Sequence, residues 1–401
     1  MIVCIDLDDT LLANFTSTFL PKYIDALCGY ISEVDPQKVK YHLLNSTQKM
    51  IQKSMPAQTL EQTFDHSFYA GIGIPKDELK NVIQKFYSDV FPALRRFTEF
   101  SEGAINFVES LFEEGHEVIV ATNPLFPRIA TLQRLDWAGL SAENFPFRLI
   151  STFENFHFTK PHAAYYTEIF AQLGWPECAA VMIGDSLDLD ILPASKLGLP
   201  TFWLTPEKTV VEHIHPLSSQ GDFKELSVWF QSISSERFEP ISRITSDYIS
   251  NLKSTPAALE TISSGLSQQY WNDRQESNDW SLVEIICHLR DSDKVVNLPR
   301  FHKALQSDNP FLPDIDTDSW VSERNYIQEL GKEALTEFFD VRSELIRLLE
   351  SLPAEWWKRE VRHSVFGPTN PCELLEFIIK HDRTHIKQAH DLLRKKGKQI
   401  F

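Results

Sequence analysis

Two local patterns alternate along the first 204 residues of this 401-residue chain. Short apolar runs rich in β-branched residues are typical of strands, and amphipathic stretches lie between them. Strands that alternate with helices indicate βαβ units and a parallel sheet with helices on both faces. We therefore predict an α/β domain over residues 1–232. Its predicted strands are Ile2–Leu7, Glu117–Thr122, Arg148–Ser151, Ala179–Gly184 and Thr201–Leu204.

One long interval interrupts this alternation directly after the first strand. From about residue 14 to residue 98 the pattern is almost wholly helical. Ligand sites in α/β sheets form at the carboxyl ends of strands, so an insertion here is expected to close over such a site. The insert residues that we expect to contact a ligand are Phe15, Thr18, Lys22, Gln48 and Lys53.

The β signal fades beyond the polar stretch 233–238, which we interpret as a linker. Residues 239–401 show helical patterns around 241–252, 256–265, 281–296, 333–349 and 371–395. Consecutive amphipathic helices of this kind are typical of an antiparallel bundle. The second half is therefore predicted to be an all-α domain.

Charge and cysteine usage restrict the partners and the compartment. The 56 acidic and 39 basic residues give a net charge of −17, which argues against a nucleic-acid partner because such a partner requires a basic face. The five cysteines are widely spaced and form no C-x-x-C pair, which favours reduced thiols. We find neither a signal-peptide pattern nor an apolar run long enough to span a membrane. The expectation is a cytoplasmic protein.

Polar side chains follow several predicted strands at their carboxyl ends. Because parallel strands present these ends at one edge of the sheet, the side chains are expected to converge. Converging carboxylates repel one another and require a cation, and oxygen ligands suit Mg²⁺. An acid there can attack a phosphoryl group while a second acid transfers protons. The residues are Asp6, Asp8 and Thr10, then Thr122 and Asn123, then Lys160, and finally Asp185, Asp188 and Asp190.

This pattern resembles the motifs of the haloacid dehalogenase-like (HAD-like) hydrolases over about residues 1–232. The resemblance implies a Rossmann-like core, and the helical insert looks like the C1 cap of that family. The four matching motifs are D-x-D-x-T at Asp6, Asp8 and Thr10, Thr122 with Asn123, Lys160, and G-D-S-x-x-x-D from Gly184 through Asp185 to Asp190.

The resemblance also implies a role for each residue. Asp6 is the expected nucleophile, and Asp8 the acid and base for the leaving group and the water. Phosphate-binding roles fall to Thr122, Lys160 and the backbone near Asp8 and Asn123. Mg²⁺ is expected at Asp6, the Asp8 carbonyl and Asp185, with Asp190 beside Lys160 or acting through a metal-bound water; Asp188 ranks second.

The second acid of the first motif decides between reaction types. Family members that attack carbon–halogen bonds lack it, because a halide leaving group needs no proton. Asp8 therefore favours a phosphatase that acts on a small-molecule phosphate ester. A sugar phosphomutase of the same family would retain every motif and remains an alternative.

Three histidines lie on the apolar faces of two predicted bundle helices. His381 and His385 are one turn apart in the segment 371–395, and His288 lies on the helix that begins after the capping box of Ser281 and Glu284. Two histidines at i and i+4 can chelate one metal ion. A third imidazole from another helix would leave an open coordination position.

Residues 239–401 are similar to the DinB-like four-helix proteins. The matching segments are Trp280-Ser281, His288–Asp291 and His381–His385. The resemblance implies a divalent metal, Zn²⁺ or Ni²⁺, on His288, His381 and His385, and a homodimer, since such bundles often dimerise. Three hypotheses remain for this half: an accessory metal-binding domain, a second enzyme such as a thiol transferase or isomerase, or a non-catalytic interaction module.

Overall fold

The computed structural model describes residues 1–14, 16–207, 209–212, 214–233, 240–243, 247–276 and 279–395. Several features of the sequence analysis lie outside these ranges: Phe15, most of the predicted linker (residues 234–238), residues 244–246 of the predicted helix 241–252, and residues 396–401 of the predicted bundle.

A parallel sheet forms the centre of the N-terminal half. Its six strands run in the spatial order 5-4-1-6-7-8. β1 and β6 lie in the middle of the sheet and are completely buried because helices cover both faces. The predicted α/β architecture is confirmed. The strands of this half are β1 (Ile2–Ile5), β2 (Leu12–Ala13), β3 (Glu99–Phe100), β4 (Glu117–Val120), β5 (Leu149–Ile150), β6 (Ala180–Gly184), β7 (Thr201–Leu204) and β8 (Ser219–Gly221).

The helical insert leaves and re-enters the sheet domain through a two-stranded ribbon. β2 and β3 pair antiparallel, so the two ends of the insert lie side by side. Asp35 caps the second helix, and Gly73 ends the third in the left-handed conformation, with φ of 83°. The insert contains α1 (Thr16–Tyr30), α2 (Pro36–Gln52), α3 (Leu60–Ile72), α4 (Lys76–Lys85), a π-helical turn (Phe86–Val90) and a 3₁₀ segment (Phe91–Phe97).

Helices between the later strands pack on the sheet. They are α5 (Glu102–Glu113), α6 (Arg128–Trp137), α7 (Ala163–Gln172), α8 (Leu192–Lys196) and α9 (Phe223–Ser232), with a π-helical turn (Leu187–Ile191) before α8. Every residue of α7 after Ala163 is buried, including Thr167, Glu168 and Gln172. A helix that covers one face of a sheet normally leaves its outer side in solvent. The outer side of α7 must therefore pack against a further layer.

The C-terminal half is a helix bundle, as predicted, with the small additional sheet β9 (Phe311–Leu312), β10 (Val361–His363) and β11 (Gly367–Thr369). The long helices are α10 (Tyr248–Ser263), α12 (Leu282–Asp291), α15 (Gly331–Glu350) and α16 (Pro371–Lys395). Shorter helices are α11 (Gln268–Asn272), α13 (Leu298–Gln306) and α14 (Trp320–Glu323), and a π-helical segment (Ser292–Asn297) joins α12 to α13. The described residues of this half also form 3₁₀ turns at Ile241–Arg243, Tyr326–Gln328 and Ala354–Lys358.

A buried ion network holds the bundle helices in register. Arg342 of α15 donates to Asp293 of the π-helical segment and to Asp382 of α16. Thr255 of α10 also donates to Asp382, at 2.8 Å. Breaking one partner of such a network leaves a charge buried without compensation. Asp382 adjoins His381, so the network also fixes the helix that carries two of the three predicted metal ligands.

The bundle packs directly on the sheet domain through α10 and α7. Apolar residues of both helices belong to one continuous core, which includes Ile169 of α7 and Leu259 of α10. Polar contacts cross the same interface: Thr167 donates to the carbonyl of Ser250 at 2.9 Å, and Thr261 donates to that of Asn155 at 3.2 Å. α10 is thus the layer that buries the outer side of α7.

A fully buried histidine lies at the centre of this interface. His157 Nδ1 is 2.7 Å from Glu168 of α7, and Nε2 is 2.8 Å from Glu260 of α10. Burial lowers the pKa of His157, but the two carboxylates more than offset this, so its pKa is raised above 6.5. Lys53 donates to the His157 carbonyl at 3.1 Å, and burial lowers the pKa of that ammonium to about 8. His157 therefore joins the two halves most strongly in its protonated form.

We expect this link to make stability depend on pH. Because the pKa of His157 is higher in the folded than in the unfolded chain, its contribution is complete below pH 6.5 and is lost as the pH rises through the folded value. Each unit of raised pKa corresponds to about 1.4 kcal/mol. Chemical denaturation of the full chain between pH 6 and 8.5 measures the loss. Glu260→Gln should flatten the dependence, whereas Glu344→Gln, at an exposed site on α15, should not. Equal slopes for the two variants would contradict the assignment.

Across the described residues, no helix combines the length and the apolar character needed to cross a lipid bilayer.

Candidate functional site

Carboxylates from neighbouring strands meet at one edge of the sheet. Asp6 follows β1, Asp185 follows the adjacent β6, and Asp190 lies on the π-helical turn after it. One oxygen of each lies within 4.8 Å of the others. A Cβ on Gly184 would lie 2.3 Å from an Asp190 oxygen, so glycine is required at that position. Asp188 of the same turn is exposed and lies outside this cluster.

Lys160 lies between two of the acids. Its Nζ donates to Asp6 at 2.7 Å and also to Asp190. Burial lowers the pKa of Lys160, but Asp190 and Asp6 raise it by more, so the ammonium stays charged. The site therefore has a fixed cation on one side of the nucleophile candidate.

The acid cluster retains excess negative charge despite this lysine. Burial raises the pKa of Asp6 well above its usual value; Lys160 opposes this, and the neighbouring carboxylates add to it. Burial, followed by Asp190 and Asp9, raises the pKa of Asp185 to about 6. An all-oxygen donor set with uncompensated charge fits a hard divalent cation such as Mg²⁺.

The side chain of Asp8 points away from the cluster. Arg134 Nη1 donates to both of its oxygens, at 2.6 and 2.7 Å, and Asn14 Nδ2 donates to one at 2.6 Å. Thr122 Oγ1 reaches the other oxygen at 3.5 Å. If Asp8 contributes to the cation site, it does so through its backbone carbonyl. The carboxylate itself faces the space beneath the insert, where a leaving group would lie.

The residues of the second and third motifs lie at the same edge of the sheet, where hydrogen bonds hold them in place. The Thr122 carbonyl accepts hydrogen bonds from Ser151 at 2.6 Å and from Tyr165 at 2.9 Å. The Asn123 side chain accepts from the backbone N–H of Lys160 at 3.2 Å. These bonds join the strand end after β4 to the segment that carries Lys160. The structure thus brings all of the predicted motif residues together around one site.

A cavity of about 690 Å³ lies between this edge and the helical insert. Asp6, Asp8 and Lys160 lie at its floor. Aromatic rings dominate its walls, and they come from both the insert and the sheet domain. They are Phe19, Tyr23, Phe64, Phe68, Tyr69, Tyr87, Phe126 and Phe153. Of the insert residues expected to contact a ligand, Thr18, Lys22, Gln48 and Lys53 do not line this cavity. That expectation was wrong for these four residues. The insert side chains that line the cavity lie at other positions and include charged residues such as Glu61 and Lys76 as well as rings.

A second cluster lies in the bundle, where three imidazoles converge. His288 Nε2 is 2.9 Å from His381 Nε2, which is 3.2 Å from His385 Nε2. Tetrahedral Zn²⁺ with bonds of about 2.0–2.1 Å would hold its nitrogens roughly 3.3 Å apart. The observed spacing therefore suits a single ion bound by the three nitrogens.

Surrounding groups favour the neutral, metal-binding form of these rings. Burial, followed by repulsion from the other histidines, lowers the pKa of His288 to about 3, and burial and His385 lower that of His381 to about 4. Trp280 stacks on His385 with an angle of 6° between the rings. His385 Nδ1 is 3.0 Å from Gln388, the kind of outer contact that orients a metal ligand.

Residues 3–204, half of the chain, match the family of haloacid dehalogenase-like hydrolases. The chain is a haloacid dehalogenase-like hydrolase. Residues 251–389 of this hydrolase match the DinB superfamily. Both resemblances indicated by the motifs are therefore confirmed, and the hydrolase carries a DinB-like domain at its C-terminal end.

Three relatives illustrate these matches. The hydrolase is 33% identical to the pyrimidine 5'-nucleotidase PynA of Streptococcus pneumoniae over 107 residues, which is 26% of this chain and only 42% of PynA. It is 25% identical to the uncharacterized protein YuaE of Bacillus subtilis over 154 residues, 35% of this chain and 94% of YuaE. The solved structure of YfiT from Bacillus subtilis, described as a probable metal-dependent hydrolase with an unusual four-helix bundle topology, covers 42% of this chain and 91% of YfiT, with 20% identity and a TM-score of 0.35.

Arg134 is the residue of the hydrolase site that motif reasoning missed. It is 1% exposed and lies on α6, beside the buried residues Ala130 and Leu135. A charged side chain among buried apolar neighbours needs a partner, and here the partner is Asp8. An arginine on the apolar face of a predicted helix is the signal that could have identified it.

Proposed function

We propose that the N-terminal half is a Mg²⁺-dependent phosphatase that acts on a small phosphomonoester. The observation that carries this proposal is the arrangement around Asp6. Asp6 lies beside Asp185, Asp190 and Lys160. Asp8, two residues further along the chain, faces the cavity. This separation suits one carboxylate for attack and another for proton transfer.

The proposed reaction has two steps. In the first, an Asp6 oxygen attacks phosphorus as the bond to the leaving oxygen breaks, and Asp8 donates a proton to that oxygen. In the second, Asp8 takes a proton from water, the water oxygen attacks phosphorus, and the bond to Asp6 breaks to release phosphate. Lys160 and Thr122 position the phosphoryl oxygens. Mg²⁺ held by Asp6, the Asp8 carbonyl and Asp185, with Asp190 beside Lys160, would neutralise charge on the phosphate.

Arg134 has a positioning role in this proposal. Its two contacts hold Asp8 toward the cavity and stabilise the carboxylate that remains after the proton is donated. We expect Arg134→Lys to lower kcat by about 10²-fold, the lower end of what acid–base catalysis contributes. The loss should be smaller for p-nitrophenyl phosphate than for an alkyl phosphate, because nitrophenolate needs little protonation. An equal loss for both substrates would contradict the assigned role.

Protons and Mg²⁺ should compete for the Asp185 carboxylate, so the Mg²⁺ concentration needed for activity should depend on pH. Because the pKa of Asp185 without metal is about 6, a proton must leave before the cation binds at lower pH. The half-saturating Mg²⁺ concentration for p-nitrophenyl phosphate hydrolysis should rise by up to about tenfold per pH unit below 6. Rates at saturating Mg²⁺ provide the control for other pH effects. A half-saturation value that is constant from pH 5 to 7.5 would refute this prediction.

The ring-lined cavity favours a substrate with a planar leaving group. Its volume of about 690 Å³ is within the range of small-ligand pockets, and aromatic walls suit stacking on a nucleobase. PynA, the relative described above, is a pyrimidine 5'-nucleotidase. We therefore propose nucleoside monophosphates as the preferred substrate class.

A metabolite panel tests both the activity and the preference. Phosphate release from nucleoside monophosphates should exceed release from sugar phosphates and from phosphoglycolate at equal concentration. Phe64→Leu, which removes one wall ring, should raise KM for the nucleotides only. Conversion of a sugar phosphate to its isomer without phosphate release would favour the phosphomutase alternative.

For the C-terminal half we propose a divalent metal site on His288, His381 and His385. The spacing of the three nitrogens and the neutral state of the rings support it. Whether this half is an accessory domain, a second enzyme or an interaction module depends on what else binds there. We propose the following domain boundaries: the hydrolase domain spans residues 1–232 with its cap at about 14–98, the linker spans 233–238, and the bundle spans 239–401.

A further inference from the structure

A separate cavity of about 260 Å³ opens beside the histidine cluster. It lies between the π-helical segment with α13 on one side and α16 on the other. The loop at 314–317 and the turn between β10 and β11 close its ends. His381, the partly exposed histidine of the cluster, forms part of its wall. A ligand in this cavity would therefore contact one histidine of the cluster, His381.

One wall of the cavity carries a weakly compensated positive charge. Arg300 Nη2 donates to the Pro313 carbonyl at 2.8 Å, and the carboxylate of Asp314 is 4.0 Å away. Nε of Arg300 is buried and has no hydrogen-bond partner among the residues that the structure describes. A guanidinium presents five donors in a planar fork. The Arg300 side chain is 20% exposed, so its charge is partly solvated. Its buried Nε can still donate a hydrogen bond to an anion in the cavity.

A second buried donor faces the same space. Ser292 Oγ lines the cavity and likewise has no partner within the described part of the chain. Ser292 follows His288 by four residues along the helix, so this hydroxyl lies one turn from the histidine cluster. Burial raises the cost of leaving a polar group unpaired. A ligand with acceptor oxygens would satisfy both Ser292 and Arg300.

The opposite wall consists of stacked rings. Phe366 and Phe377 lie face to face, with their ring centroids 3.7 Å apart. His363 also stacks on Phe366, with a centroid distance of 4.6 Å. Phe366 is 45% exposed and Phe377 is 37% exposed, so the ring pair is open to a ligand. Exposed aromatic surface beside a polar group is typical of a small-ligand site.

We propose that this cavity binds a small organic carboxylate whose anion pairs with Arg300 and whose apolar body packs on Phe366 and Phe377. The planar fork of a guanidinium matches a carboxylate in bidentate fashion. Asp314 lies close enough to repel a doubly charged phosphate, which favours the monoanion. The other end of the ligand reaches His381. This site is distinct from the phosphatase site and does not depend on the activity proposed for it.

Ligand-observed NMR and calorimetry on the full-length protein test the proposal with 3-phenylpropionate as the probe. The neutral amide 3-phenylpropanamide is the matched control for shape. The carboxylate should bind at least about tenfold more tightly than the amide, as expected when a charge-assisted pair is formed. Arg300→Gln should abolish this preference. Arg362→Gln, at an exposed arginine on β10, should leave it unchanged.

A second variant keeps the proposal testable if Arg300→Gln does not fold. Phe377→Ala changes a partly exposed side chain and should weaken the carboxylate and the amide equally while the preference persists. Equal binding of the two probes to the wild type would overturn the proposal. So would a carboxylate preference that survives Arg300→Gln, because a metal ion on the histidines would then be the anion's partner.

Discussion

Asp6→Asn should reduce phosphate release by at least about 10³-fold, the scale of loss when a nucleophile is removed. The substitution keeps the shape of the side chain but replaces the carboxylate with a neutral amide, whose oxygen is a much weaker nucleophile. It also removes one of the ligand charges of the proposed Mg²⁺ site. Burial raises the pKa of this acid, so the variant should fold at least as well as the wild type.

The matched control for this variant is Asp188→Asn. Asp188 lies within the fourth motif, but it is exposed on the turn and lies outside the acid cluster. Its replacement should change kcat and the Mg²⁺ requirement by less than twofold, a roughly neutral effect typical of exposed sites. Steady-state assays with p-nitrophenyl phosphate compare the two variants. Equal activity of Asp6→Asn and Asp188→Asn would show that Asp6 is not the nucleophile.

His381→Ala should remove the metal of the bundle from the full-length protein. Loss of an outer-sphere contact already weakens metal binding by about 10–100-fold, and loss of a direct ligand should cost more. Elemental analysis after gel filtration should find one transition-metal ion fewer per chain. Phosphatase activity in Mg²⁺ should be unchanged, because the acid cluster and the bundle site share no residues.

His302→Ala is the control for the bundle site. His302 is exposed on α13 and lies outside the histidine cluster. It should retain the full metal content. If His381→Ala also retains its metal, or if the wild type binds none when supplied with Zn²⁺ or Ni²⁺, the convergence of the three rings serves packing alone.

Most of the architecture follows from local patterns, and the misses have physical causes. β8 was missed because Ser219-Gln220-Gly221 contains no β-branched or aromatic residue and pairs only at the sheet edge. α10 was predicted as two helices because Pro256 normally ends a helix. In the structure Pro256 is fully inside α10 and buried. Tertiary packing on α7 there outweighs the local preference of the chain.

The site was predictable where chemistry requires particular residues at particular spacings. Asp6, Asp185, Asp190 and Lys160 meet at one site, and the three histidines meet at another. The second-ranked acid, Asp188, lies outside the acid cluster. Contacts that depend on three-dimensional shape were not predictable, since nothing in the sequence relates Arg134 to Asp8, 126 residues earlier. The aromatic walls of the main cavity likewise come from segments far apart in sequence.

The burial of α7 beneath α10 has a consequence for how the gene product can be divided. α7 begins three residues after Lys160 and packs against α10 of the second half of the chain. The second half therefore supports the helix that follows the third motif. A polypeptide cut at the linker would expose the apolar side of α7 to water and leave Glu168 and His157 without Glu260. In the intact chain, the two halves are therefore expected to unfold together in a single calorimetric transition. They would have to be inherited together, and exchanging either for that of a distant relative would require a matching surface on the other.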